Sequence, residues 1–103
     1  MKRIDMDKDV VHASEKVPVL VDFWAPWCAP CQMLGPVLEK LERKAGGSWK
    51  LVKINVDEEP QLARRFGVRG IPAMKLFKSG EVVAELSGYR PEEILESWVQ
   101  MNL

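Results

Sequence analysis

Near the start of the chain, a short apolar strand leads into an amphipathic helix, and this order restricts the possible folds. Residues 17–24, VPVLVDFW, are rich in valine and aromatic side chains and predict a buried strand. Over residues 31–45 the apolar residues recur at helical spacing, and Gly46 and Gly47 end this predicted helix. Repetition of this strand-to-helix order is typical of α/β folds.

The remainder of the sequence repeats the alternation of strands and helices. The N-terminus predicts a short strand at residues 2–5 and a helix over residues 7–16. After the predicted helix over residues 31–45, the predicted elements are a strand at 49–56, a short helix near 58–66, strands at 73–78 and 81–87, and a helix from about residue 91. Ser79-Gly80 joins the last two strands as a hairpin. This order predicts a mixed sheet with parallel pairs, an antiparallel edge and helices on both faces.

Length and composition exclude several classes of protein. The 103 residues suit one domain, and 15 basic residues balance 15 acidic residues, so the sequence shows no electrostatic footprint for nucleic acid or anionic lipid. No apolar run approaches the roughly 20 residues that a membrane span needs. The N-terminal sequence MKRIDMDKDV lacks the apolar segment of a signal peptide. We therefore expect a single cytoplasmic domain, residues 1–103, that binds neither nucleic acid nor membranes.

The chain has only two cysteines, Cys28 and Cys31, in the segment APWCAPC. A structural disulfide is disfavoured because closing a loop of about four residues removes only about 2 kcal/mol of unfolded-state entropy, whereas a loop of about 100 residues would remove about 5 kcal/mol. A zinc site is disfavoured because structural zinc needs four ligands and His12 is the only histidine. Redox chemistry is favoured, because two thiols at this spacing can cycle between dithiol and disulfide with little backbone movement.

The position of the cysteines at the junction of strand and helix also favours redox catalysis. Amide N–H groups and the positive end of the helix dipole face Cys28 and stabilise its thiolate. Cys31 lies one turn further along and is expected to be more covered. Pro30 fits between them because the first helical turn does not need its N–H group. Spacing and placement together predict that Cys28 attacks first and that Cys31 reacts second.

Asp22 interrupts the apolar run VLVDFW. Strand alternation alone would allow it to face solvent, but Leu20 and Phe23 leave little room for a wet face in a sheet that is covered on both sides. We therefore predict a buried carboxyl group. Burial raises the pKa of a carboxyl group, so Asp22 could exchange a proton with Cys31 near neutral pH. Lys53 lies on the polar side of WKLVKINV, and exposure to solvent is its simplest interpretation.

Three segments together resemble the thioredoxin family: VDFWAPWCAPCQMLGPVLEKL, VKINVDEEPQLARRFGVRGIPAMKLFKSGEVV and SGY. The resemblance runs from about Pro18 to the C-terminus, and the segment before it matches poorly. It implies the thioredoxin fold, an α/β fold in which a central mixed sheet of five strands is flanked by four helices. It also implies thiol–disulfide exchange in which Cys28 attacks and Cys31 resolves.

The resemblance assigns further roles around the cysteines. Asp22 is similar to a buried acid beneath the pair, and Lys53 is similar to a lysine near that acid. Ala29 and Pro30 lie between the cysteines, where the reduction potential is tuned, and relatives usually have Gly-Pro at these two positions. The alanine therefore marks a departure from the family pattern.

The resemblance also implies a substrate-binding surface. Trp27 is similar to a tryptophan that shields and orients the site. Ile71 and Pro72 match a segment whose peptide bond is cis in this fold, and a substrate chain could add beside Ile71 as a short extended strand. Gly88 falls at a family glycine, and Tyr89 beside it is expected to add an aromatic edge to the surface.

The implied function is that of a protein disulfide reductase, which acts on disulfide-containing protein substrates and is re-reduced by a thioredoxin reductase. The resemblance implies a monomer. No cofactor is expected, because the sequence has no glycine-rich phosphate loop. Two alternatives stay open: a thioredoxin-like oxidase or isomerase that works in the opposite direction, and a binding or chaperone module in which thiol chemistry is secondary.

Overall fold

The computed structural model describes residues 4–103 and begins with a helical segment. In this N-terminal helix, the π-helix Met6–His12 continues into a 3-10 turn, Ala13–Glu15. The elements that follow are the strand β1 (Val19–Trp24), the helix α1 (Ala29–Ala45), the strand β2 (Lys50–Asn55), the helix α2 (Pro60–Arg65), the strands β3 (Ala73–Lys78) and β4 (Glu81–Ser87), and the helix α3 (Glu92–Asn102). The predicted order of elements after residue 16 is confirmed.

The strands form one mixed sheet in the order β2-β1-β3-β4. The strand β1 pairs in parallel with β2 and antiparallel with β3, and β3 pairs antiparallel with β4. The hairpin therefore supplies an inner strand as well as the antiparallel edge. Helices cover both faces, so the predicted α/β architecture with a mixed sheet is confirmed.

The expectation of five strands is wrong for residues 4–103, which contain four. Of the strand expected at residues 2–5, residues 2 and 3 lie outside the described part of the chain, and Ile4 and Asp5 are not in a strand. Asp5 instead caps the N-terminal helix, because its Oδ1 accepts the N–H of Lys8 at 3.2 Å and its own N–H donates to Asp9 Oδ2 at 2.9 Å. The helix expected over residues 7–16 is confirmed, shifted by one residue.

Alternate residues of β1 point to opposite faces of the sheet and contribute to two separate cores. Val21 and Phe23 belong to the core that includes the N-terminal helix and α2 residues. Leu20 belongs to the core formed with α1 and α3. Asp22 shares the Leu20 face by the same alternation and is buried. The carboxyl group therefore lies on the side of the sheet that α1 covers.

The helix α1 begins at Ala29, earlier than the periodicity predicts, because Cys28 caps its N-terminus. It ends at Gly46, which adopts a left-handed φ of 60° and whose N–H donates to the carbonyl of Arg43. Since β1 ends only a few residues before α1 begins, the short connection brings both cysteines to the carboxyl edge of the sheet. This placement creates the candidate site.

Candidate active site

Cys28 occupies the N-cap position of α1 and is joined to Cys31 by a disulfide bond, with the two Cα atoms 5.2 Å apart. The N–H of Cys31 donates to the Sγ of Cys28 at 3.3 Å. The first N–H groups of a helix have no partner within the helix. A sulfur at the N-cap therefore faces these donors, and the expected placement of Cys28 at the helix start is observed.

Both cysteines are buried in the oxidised protein. Cys28 is 5% exposed and Cys31 is 3% exposed. They pack with Ala25, and Trp24, Val56 and Ile71 pack against this small apolar cluster. The Sγ of Cys28 lies 3.9 Å from the carbonyl oxygen of Ile71. The Ile71 carbonyl oxygen is therefore a close neighbour of the Cys28 sulfur atom.

Ala29 and Pro30 form the first turn of α1 and are exposed. The first turn therefore lies on the surface beside the two covered sulfur atoms. Pro30 causes no loss of a helical hydrogen bond at this position.

Trp27 lies in the turn between β1 and α1, and its side chain is 71% exposed. Its indole Nε1–H donates to Oδ2 of Asp57 at 3.0 Å. The N–H of Asp57 in turn donates to Oδ1 of Asn55, at the end of β2, at 2.9 Å. Asp57 was not predicted as a site residue, although it directly follows a predicted strand. Its position after β2, the neighbour of β1, is the signal that could have placed it near Trp27.

The segment that includes Ile71 and Pro72 leads into β3. The peptide bond between them is cis. The N–H of Gly88, just after β4, donates to the carbonyl of Pro72 at 2.8 Å. Gly88 has a φ of 86°, which glycine adopts more readily than other residues. Tyr89 follows with a partly exposed ring, so Gly88 and Tyr89 adjoin the Ile71–Pro72 segment.

A shallow groove of about 220 Å³ lies beside the cysteines. Its lining residues are Trp27, Val56, Pro60, Ala63, Val68, Arg69 and Ile71. Of the residues expected to form the substrate-binding surface, Trp27 and Ile71 both line this groove. Tyr89 lies outside the lining of this groove.

Asp22 is fully buried, and neither of its carboxyl oxygens has a hydrogen-bond partner in the described part of the chain. Burial raises the pKa of Asp22 from 3.8 to about 6, the positive charge of Lys53 lowers it, and the negative charge of Glu39 raises it. A carboxyl group with this pKa can gain and lose a proton near neutral pH, in keeping with the expectation for a buried acid.

Lys53 lies opposite Asp22 in the parallel pairing of β1 with β2. Its ammonium group forms an ion pair with Oε2 of Glu39 at 3.1 Å and lies 5.1 Å from the centroid of the Trp24 ring. Lys53 is therefore partly covered, and the simple expectation of a solvent-facing lysine is incomplete. Glu39 was not predicted as a site residue, although its spacing from Gly35 and Cys31 places it on the same face of α1.

Two further structural properties bear on the function. Among residues 4–103, no group of three or more histidine, cysteine, aspartate or glutamate side chains is arranged to hold a metal ion. No helix in the same part of the chain combines the length and the apolar character needed to cross a membrane.

Comparisons with known proteins identify the family. The thioredoxin family model matches residues 3–101. The chain is 48% identical to a thioredoxin of Bacillus subtilis over 85 residues, which is 82% of each chain. It is 41% identical to a thioredoxin of Haemophilus influenzae over 99 residues, which is 96% of this chain and 92% of the relative. It is 45% identical to thioredoxin M4, chloroplastic, of Arabidopsis thaliana over 87 residues, which is 84% of this chain and 45% of the relative. The chain therefore belongs to the thioredoxin family of thiol–disulfide oxidoreductases.

Proposed function

We propose that this chain is a protein disulfide reductase in which Cys28 and Cys31 cycle between a dithiol and a disulfide. The observation that carries the proposal is the position of Cys28 at the N-cap of α1, where its sulfur accepts the Cys31 N–H at 3.3 Å. The same N–H groups and the helix dipole stabilise a thiolate when the disulfide is open. The thiolate is the form that attacks a disulfide.

In the first step, the Cys28 thiolate attacks one sulfur of the substrate disulfide. A bond forms between the Sγ of Cys28 and that sulfur, and the S–S bond of the substrate breaks. The released substrate thiolate takes a proton from solvent. The product is a mixed disulfide between the two proteins.

In the second step, Cys31 gives its proton to Asp22, and the resulting thiolate attacks the Sγ of Cys28. The Cys28–Cys31 bond forms and the mixed disulfide breaks. The second substrate thiolate leaves and accepts the proton from Asp22. The substrate is reduced by two electrons, and the chain is left as the disulfide form. The role of Asp22 is supported by its burial and by a pKa of about 6.

The surface beside the cysteines binds the substrate chain in this proposal. Trp27 and Ile71 contribute apolar contacts, which is supported by their shared groove. The backbone of Ile71 and Pro72 pairs with an extended substrate segment. Gly88 and the exposed ring of Tyr89 form the second edge of the contact, which is supported by the bond from Gly88 N–H to the Pro72 carbonyl at 2.8 Å.

Three residues tune the chemistry without reacting. Ala29 and Pro30 set the reduction potential, because they form the helical turn that holds both sulfur atoms. Lys53 stabilises the ionised form of Asp22 through its positive charge. We further propose that the chain acts as a single domain, residues 1–103, and as a monomer in the cytoplasm. It binds no cofactor, acts on disulfide-containing proteins and is re-reduced by a thioredoxin reductase.

The test compares reduction of insulin disulfides by wild type, Cys28→Ser and Cys31→Ser in the presence of dithiothreitol. We expect Cys28→Ser to fall to the rate of dithiothreitol alone. Pre-reduced Cys31→Ser, mixed with insulin after dithiothreitol has been removed, should instead accumulate a covalent complex with the substrate, because the mixed disulfide forms but is not resolved. A Cys28→Ser variant as active as wild type would refute the proposal. The reduction potential of the Cys28–Cys31 pair then tests the direction of electron transfer. The cytosolic glutathione pool lies between about −220 and −320 mV, and a potential more negative than about −220 mV supports a reductase over an oxidase.

A further inference from the structure

We propose that Glu39 and Gly35 are positioning residues for Lys53. They hold its ammonium group near Asp22 but out of direct contact with the Asp22 carboxyl group, and this arrangement keeps Asp22 able to exchange a proton. The inference rests on the proposed role of Asp22 in disulfide exchange. It concerns two residues of α1, neither of which touches the reacting sulfur atoms.

Three residues of α1 are aligned along the helix. Cys31, Gly35 and Glu39 are spaced by four, and residues at this spacing lie on one face of a helix. Cys31 and Gly35 are buried, and Glu39 is partly buried. Because both Glu39 and Gly35 lie close to the Lys53 ammonium group, and Lys53 pairs with Asp22 in the sheet, this face of α1 lies over the part of β1 and β2 that carries the buried acid.

The Lys53 ammonium group is surrounded by groups from α1 and β1. It lies 3.1 Å from Oε2 of Glu39 and 5.1 Å from the centroid of the Trp24 ring. A Cβ atom at Gly35 would lie 3.3 Å from Nζ and 4.0 Å from Cε of this lysine. This first distance is tighter than most Cβ contacts, so a side chain at position 35 would crowd the ammonium group. A side chain at position 35 would therefore require the Lys53 ammonium group to shift by a few tenths of an ångström.

Asp22 has no direct bond to Lys53. Lys53 is its partner in the strand register, yet the Asp22 oxygens accept no hydrogen bond within residues 4–103. A direct ion pair would favour the carboxylate strongly, whereas a lysine held by Glu39 favours it less. Glu39 also adds a negative charge of its own. Both effects of Glu39 favour the protonated form of Asp22 and add to burial, which is the main cause of its raised pKa.

The charged groups that act on Asp22 from the packed elements are few. Lys53 comes from β2 and Glu39 comes from α1. The strand β3 places the uncharged Met74 opposite Asp22. In the reduced protein the thiols of Cys28 and Cys31 add two further titratable groups at the start of α1. A change at Glu39 therefore acts mainly through its own charge and through Lys53.

A purely structural role for the ion pair makes a different prediction. The Lys53 and Glu39 side chains are 35% and 46% exposed, and ion pairs with this exposure contribute little to folding. Loss of the pair should then leave Asp22 unchanged. If Glu39 positions the charge of Lys53, its loss should instead change the ionisation of Asp22.

The experiment follows the carboxyl carbon resonance of Asp22 by NMR as the pH is varied, in the oxidised protein. For Glu39→Gln we expect the ionisation midpoint of Asp22 to fall by roughly half a unit to one unit. The matched control is Glu96→Gln, which removes the same charge from an ion pair with Lys44 at 3.0 Å. Lys44 lies about 20 Å along α1 from Cys31, at about 1.5 Å per residue, so the control should leave the midpoint unchanged. A midpoint unchanged in Glu39→Gln, or shifted equally in both variants, overturns the proposal.

Two further variants separate the parts of the proposal. In a Lys53→Met background, Glu39→Gln should cause a smaller fall, because only direct repulsion of Asp22 is then removed. An equal fall in both backgrounds would overturn the positioning of Lys53. Gly35→Ala should also move the midpoint, because the new methyl group displaces the ammonium group, and an unchanged midpoint would remove Gly35 from the proposal.

Failure of this inference and failure of the proposed function give different results. The pH dependence of insulin reduction by Glu39→Gln should move in the same direction as the Asp22 midpoint. If the midpoint moves and the pH–rate profile does not, the inference about Glu39 stands and the catalytic role of Asp22 fails. If Asp22→Asn slows insulin reduction but Glu39→Gln leaves the midpoint in place, the role of Asp22 stands and this inference fails.

Discussion

Replacing Asp22 by asparagine should stabilise the folded protein increasingly as the pH rises from about 4 to about 8. Burial raises the pKa of Asp22 from 3.8 to about 6 in the disulfide-bonded protein, although the charge of Lys53 lowers it. In the unfolded chain the carboxyl group ionises near its ordinary pKa. Between pH 3.8 and about pH 6, the folded state binds more protons than the unfolded state. The free energy of unfolding of the wild type therefore falls through this window as the pH rises.

The size of the effect follows from the pKa. A rise of about 2 units corresponds to about 3 kcal/mol, at about 1.4 kcal/mol per unit. Asp22 is fully buried, so solvent screening does not reduce this figure. Below the ordinary pKa of aspartate the group is protonated in both states and contributes no pH-dependent difference. Above the folded-state pKa, the wild type should carry the full destabilisation of about 3 kcal/mol, which Asp22→Asn lacks.

The assay is urea denaturation of the oxidised wild type and the oxidised Asp22→Asn variant across this pH range. The other titrating groups are common to both proteins, so their contributions cancel in the difference between the two unfolding free energies. We expect this difference to grow by about 3 kcal/mol in favour of the variant, with most of the change below pH 6. A difference that stays constant within about 0.5 kcal/mol would refute the reasoning, because it would mean that Asp22 ionises alike in both states.

The remaining predictions concern the surface that we propose binds the substrate. Trp27→Phe should raise the KM for a protein disulfide about fivefold, equivalent to about 1 kcal/mol, because the ring loses its hydrogen bond to Asp57. An unchanged KM would contradict a role for this bond in orienting the ring. Gly88→Ala should lower the free energy of unfolding by about 1–2 kcal/mol, because φ is 86° and the new Cβ would lie 3.1 Å from Nη1 of Arg90. Gly70→Ala is the control, since a Cβ there meets no atom within 4 Å, and equal stability of both variants would contradict the argument.

The sequence predicts the fold well where one signal dominates. The run VLVDFW allows only a buried strand, and β1 is buried from Val19 to Phe23. The start of α1 is less clear from periodicity, because the cap at Cys28 depends on geometry and not on an apolar stripe. Of the strand expected at residues 2–5, the described residues Ile4 and Asp5 are not in a strand for a local reason: Asp5 bonds with Lys8 and Asp9 and so begins a helix.

The candidate site is predicted as far as its residues carry a signal in their own segment. Cys28 and Cys31 stand out by spacing, and Asp22 stands out as an acid in an apolar strand. Asp57 and Glu39 escape notice because each acts on a residue far away in the chain, Trp27 and Lys53 respectively. Such contacts depend on how β1, β2 and α1 pack together. The spacing of Glu39 on α1 and the position of Asp57 after β2 place these residues near the site, but they do not by themselves identify the bonding partners.

The central claim is that the start of α1 makes Cys28 the nucleophile. The most direct measurement is the rate of alkylation of Cys28 and Cys31 in the reduced protein as a function of pH, with each site followed by mass spectrometry. We predict that Cys28 reacts faster than Cys31 and that its rate rises with a midpoint well below about 8.5, the value for free cysteine. Equal rates at the two sites, with a Cys28 midpoint at or above about 8.5, would contradict the account.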